Sequence, residues 1–401
     1  MSVMSVMKGD VTRLVFVLLV SLGGPMSAAA EDRDIAPLKN LHVSGYFQAI
    51  PLHITLDLPE PVGKQRITEY RLQNRLNLRM DFTPDFTFHW QMRSRLIAGN
   101  WVTNDAFYTD AMTRDSGLFN LSWTIAEGED WILHSVPDRL YGDWSKEDWS
   151  VRVGRQRVNW GVNIITNPND IFNPYSVYEF DYPERPGSDT LRIQHFIGFG
   201  SRVELAVKPA SEIKESVAAI LYAFRLGSYD LQAIGGYYRD RVATGAGWAG
   251  TIGSAGFKGE TMHYADIEAA NGNRETNYIL AASVDYVFPG SLFLVAEYLY
   301  NQEGGKDDLE YLAGRLLSDN PSYSRHQAAL RASYRLTPRL RTSFTLIGFP
   351  DRDSAFVSPA LTWSVIENLD LRVLGQFLLV DERRVSEEPV NLIAGFLSCY
   401  F

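Results

Sequence analysis

Between Glu69 and Leu96 apolar and polar residues alternate almost without a break, across one tight turn. Tyr70, Leu72, Leu76, Leu78, Met80 and Phe82 hold the even positions, with Asn74 the single interruption. Glu69, Arg71, Gln73, Arg75, Asn77, Arg79 and Asp81 hold the odd ones. After Thr83-Pro84-Asp85 the pattern resumes, with Phe86, Phe88, Trp90 and Met92 set against Thr87, His89, Gln91, Arg93 and Arg95. A period of two predicts β-strands, because successive side chains point to opposite faces. The first run is far longer than the roughly 5–6 residues of ordinary soluble strands. Long amphipathic strands joined by minimal turns predict an all-β fold, a transmembrane antiparallel β-barrel that is apolar outside and polar inside.

The same punctuation continues to the C-terminus. Gly227-Ser228, Pro289-Gly290, Thr337-Pro338 and Glu367-Asn368 separate alternating runs, while longer polar stretches join the resulting hairpins. The pattern predicts eighteen strands, with 117–126 and 190–208 each taken as one; sixteen stays open, because 117–160 and 243–260 alternate weakly. An even count places both chain ends in the periplasm. The chain ends in Phe401, and a terminal Phe resembles the signal read by the barrel-assembly machinery.

Residues 1–30 read as a cleaved signal peptide. Lys8 and Arg13 precede the short apolar run 14–20, and Ala28-Ala29-Ala30 suits cleavage before Glu31. The barrel then occupies 31–401, and export points to the outer membrane of a Gram-negative bacterium. No later stretch suits a transmembrane helix: 278–300 holds Asp285, Glu297 and a central Pro289-Gly290. Cys399 is the sole cysteine, which excludes an intramolecular disulfide and a thiolate metal site. The net charge of −10 argues against a nucleic-acid partner. The seven histidines form neither a His-x-x-x-His nor a His-Glu pair, so neither a cofactor, a metal nor an enzymatic centre is expected.

Energetics orient the strands. An arginine facing lipid at mid-bilayer costs about 2–4 kcal/mol, so Arg71, Arg75 and Arg79 must face the lumen. The same alternation places Arg93, Arg95, Arg331, Arg335, Arg339, Arg341 and Arg372 inside, with Asp285 and Glu297. The excess carboxylates then fall in loops, as at Asp307, Asp308, Glu310, Glu387 and Glu388. Such loops suit either divalent ions bridging lipopolysaccharide or plain solvation.

One region breaks the rule of two. From Arg155-Gln156-Arg157-Val158-Asn159-Trp160-Gly161 through Thr166-Asn167-Pro168-Asn169-Asp170-Ile171-Phe172-Asn173-Pro174, alternation gives way to Asn and Pro. A long non-strand segment near 159–187 predicts a stretch folded into the lumen as a constriction, and the strand count sets it on the periplasmic side. Arg155, Gln156, Arg157, Asn159, Trp160, Asn167, Asn169, Asp170 and Asn173 are its candidate solute contacts. The alternative is that Asn-Pro and Asn-Asp cap turns and brace the wall.

This string resembles that of porin-like outer-membrane barrels, broadly similar to alginate-export channels. Tyr334–Pro338 and Gly256-Phe257-Lys258-Gly259-Glu260 point the same way. The resemblance implies an eighteen-stranded barrel with an Arg-lined lumen and no catalytic residues. Three functions follow from residues and resemblance together: passive diffusion of small polar, anionic solutes, export of an anionic polysaccharide, or a structural or enzymatic barrel.

Overall fold

Strands follow one another along the chain from Leu41 to Tyr400 and, apart from β3 and β4, which both run antiparallel to β5, successive strands pair antiparallel, as a computed structural model describes them. Residues 40–57, 63–104, 106–115, 117–174, 187–268, 275–304, 317–322, 324–380 and 390–401 are described. The expected signal at 1–30 and the acidic positions Asp307, Asp308, Glu310, Glu387 and Glu388 lie outside them. The first strands are β1 (Leu41–Asp57), β2 (Lys64–Thr83), β3 (Phe86–Gly99), β4 (Trp123–Glu127), β5 (Trp131–Lys146) and β6 (Trp149–Gln156). Next come β7 (Ser188–Ile197), β8 (Ser201–Lys208), β9 (Val217–Leu226), β10 (Tyr229–Tyr238), β11 (Arg241–Ile252) and β12 (Ala255–Asp266). The last are β13 (Thr276–Val287), β14 (Phe293–Asn301), β15 (His326–Thr337), β16 (Leu340–Phe349), β17 (Ser354–Ile366), β18 (Leu369–Val380) and β19 (Val390–Tyr400).

Closure is made by β1 and β19, in register from Tyr46↔Tyr400 to Leu56↔Val390. Reciprocal 3.0 Å backbone bonds between Gly45 and Phe401 fasten the two ends. The barrel therefore has a terminal rim, with the start of β1, the end of β19 and the short turns, and a loop rim, with the long connections. Among the described residues no helix is long and apolar enough to cross a membrane.

Nineteen strands share the sheet, but eighteen close it. β4 pairs only with residues 132–135 of β5, beyond the end of β6, which meets β5 at 140–146. The other edge of β5 is bonded to β3 along its whole length. Residues 117–126 are thus no stave of the barrel, contrary to the sequence reading. The expected single strand 190–208 is instead two, β7 and β8, split at Gly198-Phe199-Gly200. Gly198 and Gly200 take φ of +57° and +90°, a backbone that glycine adopts without steric cost. The two differences cancel in the count but reverse the direction of the strands between them. The segment that begins at Arg157 consequently leaves from the loop rim, opposite to the side expected.

Alternation has its predicted meaning on the outer wall. Leu72, Val153, Leu205, Ile220, Val242, Val284, Val373 and Ile393 are exposed there. Exposed aromatics gather near strand ends, among them Trp144, Trp149, Phe288, Tyr298, Tyr334 and Trp363, where interfacial girdles form. The inner wall departs from the simple expectation. From β8 to β14 it carries Ala206, Leu221, Ile234, Ala243, Met262, Ile279 and Leu299, all buried. Apolar inward positions in a water-filled barrel require a cover, and the connecting segments supply it.

Two outcomes test this arrangement. Val373→Arg on the outer wall should cost about 2–4 kcal/mol in reversible unfolding from lipid vesicles, with Arg372 on the inner face as the tolerated comparison. At the loop rim, Asp351 accepts the backbone N–H groups of Arg325 (2.8 Å) and His326 (3.2 Å), together with the Ser324 hydroxyl. Burial alone would raise its pKa, but these bonds outweigh it and hold the carboxyl below its ordinary value of 3.8. Its contribution is therefore present above that value and lost as pH falls through the lower folded-state pKa. Asp351→Asn should speed hydrogen exchange at the Arg325 and His326 amides, and acid should do the same to the native chain.

Candidate functional site

A chain that leaves its strand ladder inside a barrel must find other partners for its backbone N–H groups. Residues 157–174 find them on side chains of the inner wall and within the segment itself. At the neck, Val158 N donates to Asn173 Oδ1 (3.0 Å), and Asn173 Nδ2 donates to Ser188 Oγ (3.2 Å). Trp160, almost wholly buried, donates its indole N–H to Glu204 on β8 at 2.7 Å. Its ring meets Phe172 edge-on, with centroids 5.0 Å apart.

Two further wall carboxylates hold the tip. Glu260 on β12 accepts the N–H groups of Val162 (2.5 Å), Asn163 (2.6 Å) and Asn169 (2.8 Å). Glu297 on β14 accepts those of Ile165 (3.1 Å) and Thr166 (2.7 Å). Side chains add to the grip: Gln327 donates to Thr166 Oγ1 (3.1 Å) and Asn169 Nδ2 to the Ala246 carbonyl (3.0 Å). Gly247 makes room for this approach, since a Cβ there would lie 2.9 Å from Asn169 Nδ2. Val158, Trp160, Ile171 and Phe172 cover the apolar wall of β8–β14, and Ile165 packs on Val295, Ala329, Ile347 and Phe349.

Two other segments enter from the same rim. Ser318 Oγ donates to the Asp170 carbonyl (3.0 Å), and Asp319 pairs with Arg241 at 3.2 Å. Burial raises the Asp319 carboxyl above its ordinary pKa, with Arg241 opposing. Across the lumen, the β3–β4 connection carries short helices at Asn100–Asn104 and Ala106–Thr113. Trp101 packs against the inner-wall cluster of Ile50, Leu52, Leu392 and Phe396, and stacks on Tyr108 at 4.1 Å. Arg155 ties this connection to the wall: it is bidentate to Asp189 (2.8 and 3.0 Å) and reaches Asp115 (2.7 Å) and the Phe119 carbonyl (2.8 Å).

The structure sorts the predicted arginines. Arg71, Arg75, Arg79, Arg93 and Arg95 all turn inward, but most are buried against partners. Arg71 binds Glu69 and the Tyr108 hydroxyl; Arg75 is bidentate to Asp138 (2.7 and 3.1 Å); Arg95 donates to the Met112 carbonyl (2.6 Å). Arg79, half-exposed, pairs with Asp81 at 3.0 Å. Arg372 lies over the Phe396 ring at 5.3 Å. Arg339 sits in the β15–β16 turn rather than on the inner wall. Arg331, Arg335 and Arg341 face the lumen exposed, with no ion pair among the described residues. Arg335 and Arg341 are direct cross-strand neighbours. Val295↔Arg331 lies one inward step from Glu297↔Ala329, so this patch begins just below the inserted tip.

Sequence reasoning missed other inward cations. Arg152, Arg192, Arg225 and Lys258 pair with Asp143, Glu204, Asp230 and Asp285. The even-numbered polar run Thr190, Arg192, Gln194 would have shown part of this, once the turn at 198–200 is recognised. Of the constriction candidates, Arg155, Gln156, Trp160, Asn169, Asp170 and Asn173 are buried, Arg157 and Asn167 are half-buried, and Asn159 alone is exposed. Their described bonds fasten the inserted segment. Among the described residues, no His, Cys, Asp and Glu group is arranged to hold a metal.

No family model matches the chain, and no curated protein sequence does. Solved structures match its fold. OpdR from Pseudomonas aeruginosa is 11% identical with a TM-score of 0.57, covering 90% of this chain and 96% of that one. A BenF-like porin from Pseudomonas fluorescens Pf-5 is 10% identical with a TM-score of 0.58, covering 91% and 100%. OccAB4 from Acinetobacter baumannii is 8% identical with a TM-score of 0.55, covering 91% and 99%. At such identities the likeness is one of fold. It supports the porin-like half of the resemblance read from residues 155–174, and not the alginate-export half.

The role of the wall carboxylates is directly testable. Glu260→Ala strands three backbone donors, each worth about 1–3 kcal/mol when buried without a partner. Hydrogen exchange at residues 162–169 should rise by orders of magnitude while the strands keep their protection. Unchanged exchange there would mean that the apolar cover alone holds the segment.

Proposed function

We propose that this chain is an outer-membrane channel of the porin type, passing small polar solutes by passive diffusion with a preference for anions. The observation that carries the reading is the trio Arg331, Arg335 and Arg341, exposed on the inner wall with no ion pair among the described residues. Unpaired cations in a low-dielectric wall focus their field into the lumen, raising the local concentration of anions and repelling cations. The paired arginines contribute less to that field, because a carboxylate beside each cancels most of it at a distance. The inserted segments narrow the path immediately above the bare patch, so a passing solute meets the arginines within a confined width.

The likeness in fold to solved porins supports the channel half of this reading. On the same reading the protein resides in the outer membrane of a Gram-negative bacterium, exported by residues 1–30. Phe401, exposed at the terminal rim, is then the group offered to the assembly machinery. A polysaccharide exporter would call for a continuous run of free cations. The ladder of Arg71, Arg75 and Arg79 is instead consumed by Glu69, Asp138 and Asp81.

Purified protein in a planar bilayer under a salt gradient should give a reversal potential of anion-selective sign. Replacing Arg331, Arg335 and Arg341 together by Gln should lower that selectivity several-fold with little loss of stability, whereas Arg75→Gln should chiefly destabilise the barrel by stranding Asp138. Cation preference in the native protein, or no conductance at all, would overturn the reading.

A further inference from the structure

A cavity of about 270 Å³ opens at the loop rim, between the inserted segment and β8–β10, away from the bare arginine patch. Its inner surface is apolar at Leu118, Ile171, Val217 and Leu317, with the buried Tyr238 at its side. Two cations also line it, Lys208 at the end of β8 and Arg239 in the β10–β11 turn. Neither has a carboxylate in ion-pair contact among the described residues. Among the described residues the Lys208 ammonium reaches only the Phe172 carbonyl, at 3.3 Å.

The nearby carboxylates are already engaged. Asp189, whose field acts on Lys208, is held bidentate by Arg155. Asp319, whose field acts on Arg239, is bound to Arg241. Asp240 turns to Lys214 at 3.4 Å. Glu215, the one carboxylate on the described lining, stands exposed at the mouth. Lys208 and Arg239 also repel each other across the space. Arg239 and Asp240 have φ of +47° and +66°, so the turn that presents Arg239 uses a conformation generally left to Gly or Asn. Two like charges facing a partly apolar space, with no carboxylate in ion-pair contact among the described residues, form half of a binding site.

We propose that this cavity binds a small organic monoanion, its charge between Lys208 and Arg239 and its apolar body against Ile171, Val217 and Leu317. The site is separate from the bare lumen arginines, and its occupancy does not require the protein to conduct. Because Ile171 belongs to the inserted segment and Leu317 to the Ser318 connection, a bound anion would also bridge two of the segments that narrow the lumen.

The test is calorimetric titration of the full-length protein in detergent with hexanoate, hexylammonium and inorganic phosphate, folding being checked by heat-modifiable gel mobility. Hexanoate should bind saturably at one site, with phosphate weaker and hexylammonium silent. Lys208→Met should weaken hexanoate at least tenfold, and Ala210→Trp, which fills the mouth, should abolish binding in a folded barrel. Four results would overturn the proposal: no saturable hexanoate binding; hexylammonium or phosphate binding as tightly as hexanoate; affinity unchanged in both Lys208→Met and Arg239→Leu; or binding lost with the lumen arginines but kept in Ala210→Trp. The last would assign the anion to the pore, and conductance measured in parallel judges the channel reading by itself.

Discussion

Irregular backbone inside a barrel is tolerable only if its N–H groups are met, and here Glu260 and Glu297 of the wall take five of them while Glu204 holds the Trp160 indole. Glu204, Glu260 and Glu297 stand on β8, β12 and β14, spaced along the path of the inserted segment. A carboxylate suits this task because each oxygen can accept more than one bond, as Glu260 does with three amides. With the tip fixed, Trp160, Ile165, Ile171 and Phe172 lie against apolar wall positions that would otherwise face water. The covered wall and the inserted chain thus need each other. Neither the strands from β8 to β14 nor the segment at 157–174 has a satisfactory surface alone.

The arginines divide along the same line. A buried guanidinium is costly to desolvate and must be matched closely, so Arg75 with Asp138 and Arg155 with Asp189 and Asp115 act as struts between wall and insertions. Their charge is largely spent within the protein. Arg331, Arg335 and Arg341, on β15 and β16 below the covered region, keep theirs for the lumen. On the proposed reading an acidic chain can therefore present a cationic path, because what a solute meets is decided by which cations lack partners among the described residues rather than by the total.

The insertions also make the barrel uneven around its circumference. One side of the loop half is filled by the 157–174 segment and the Ser318 connection, and another by the helices around Trp101 and Tyr108. Where these meet the rim, Lys208 and Arg239 border a space lined by two insertions as well as by strands. A ligand there touches elements that shape the lumen without standing in it, which separates binding from passage in a way that a plain porin wall does not allow.

The alternation of Glu69–Leu96 determined strand, face and membrane preference by itself, because a period of two and the cost of arginine in lipid are local properties. The broken alternation after Arg157 likewise marked a segment outside the sheet. Its partners were not legible, since Glu204, Glu260 and Glu297 lie far along the chain and read there as ordinary inward polar positions. The side from which it enters was also hidden: within the weakly alternating 117–160, Phe119, Leu121, Trp123 and Ile125 still take alternate positions, and the Gly198-Phe199-Gly200 turn interrupts no hydrophobic run. Whether an inward arginine is a strut or a free charge depends on which carboxylate lies across the lumen. Only the closed barrel brings Asp138 to Arg75 and leaves Arg331 with none among the described residues, because that proximity belongs to the register of the whole sheet and not to any one strand.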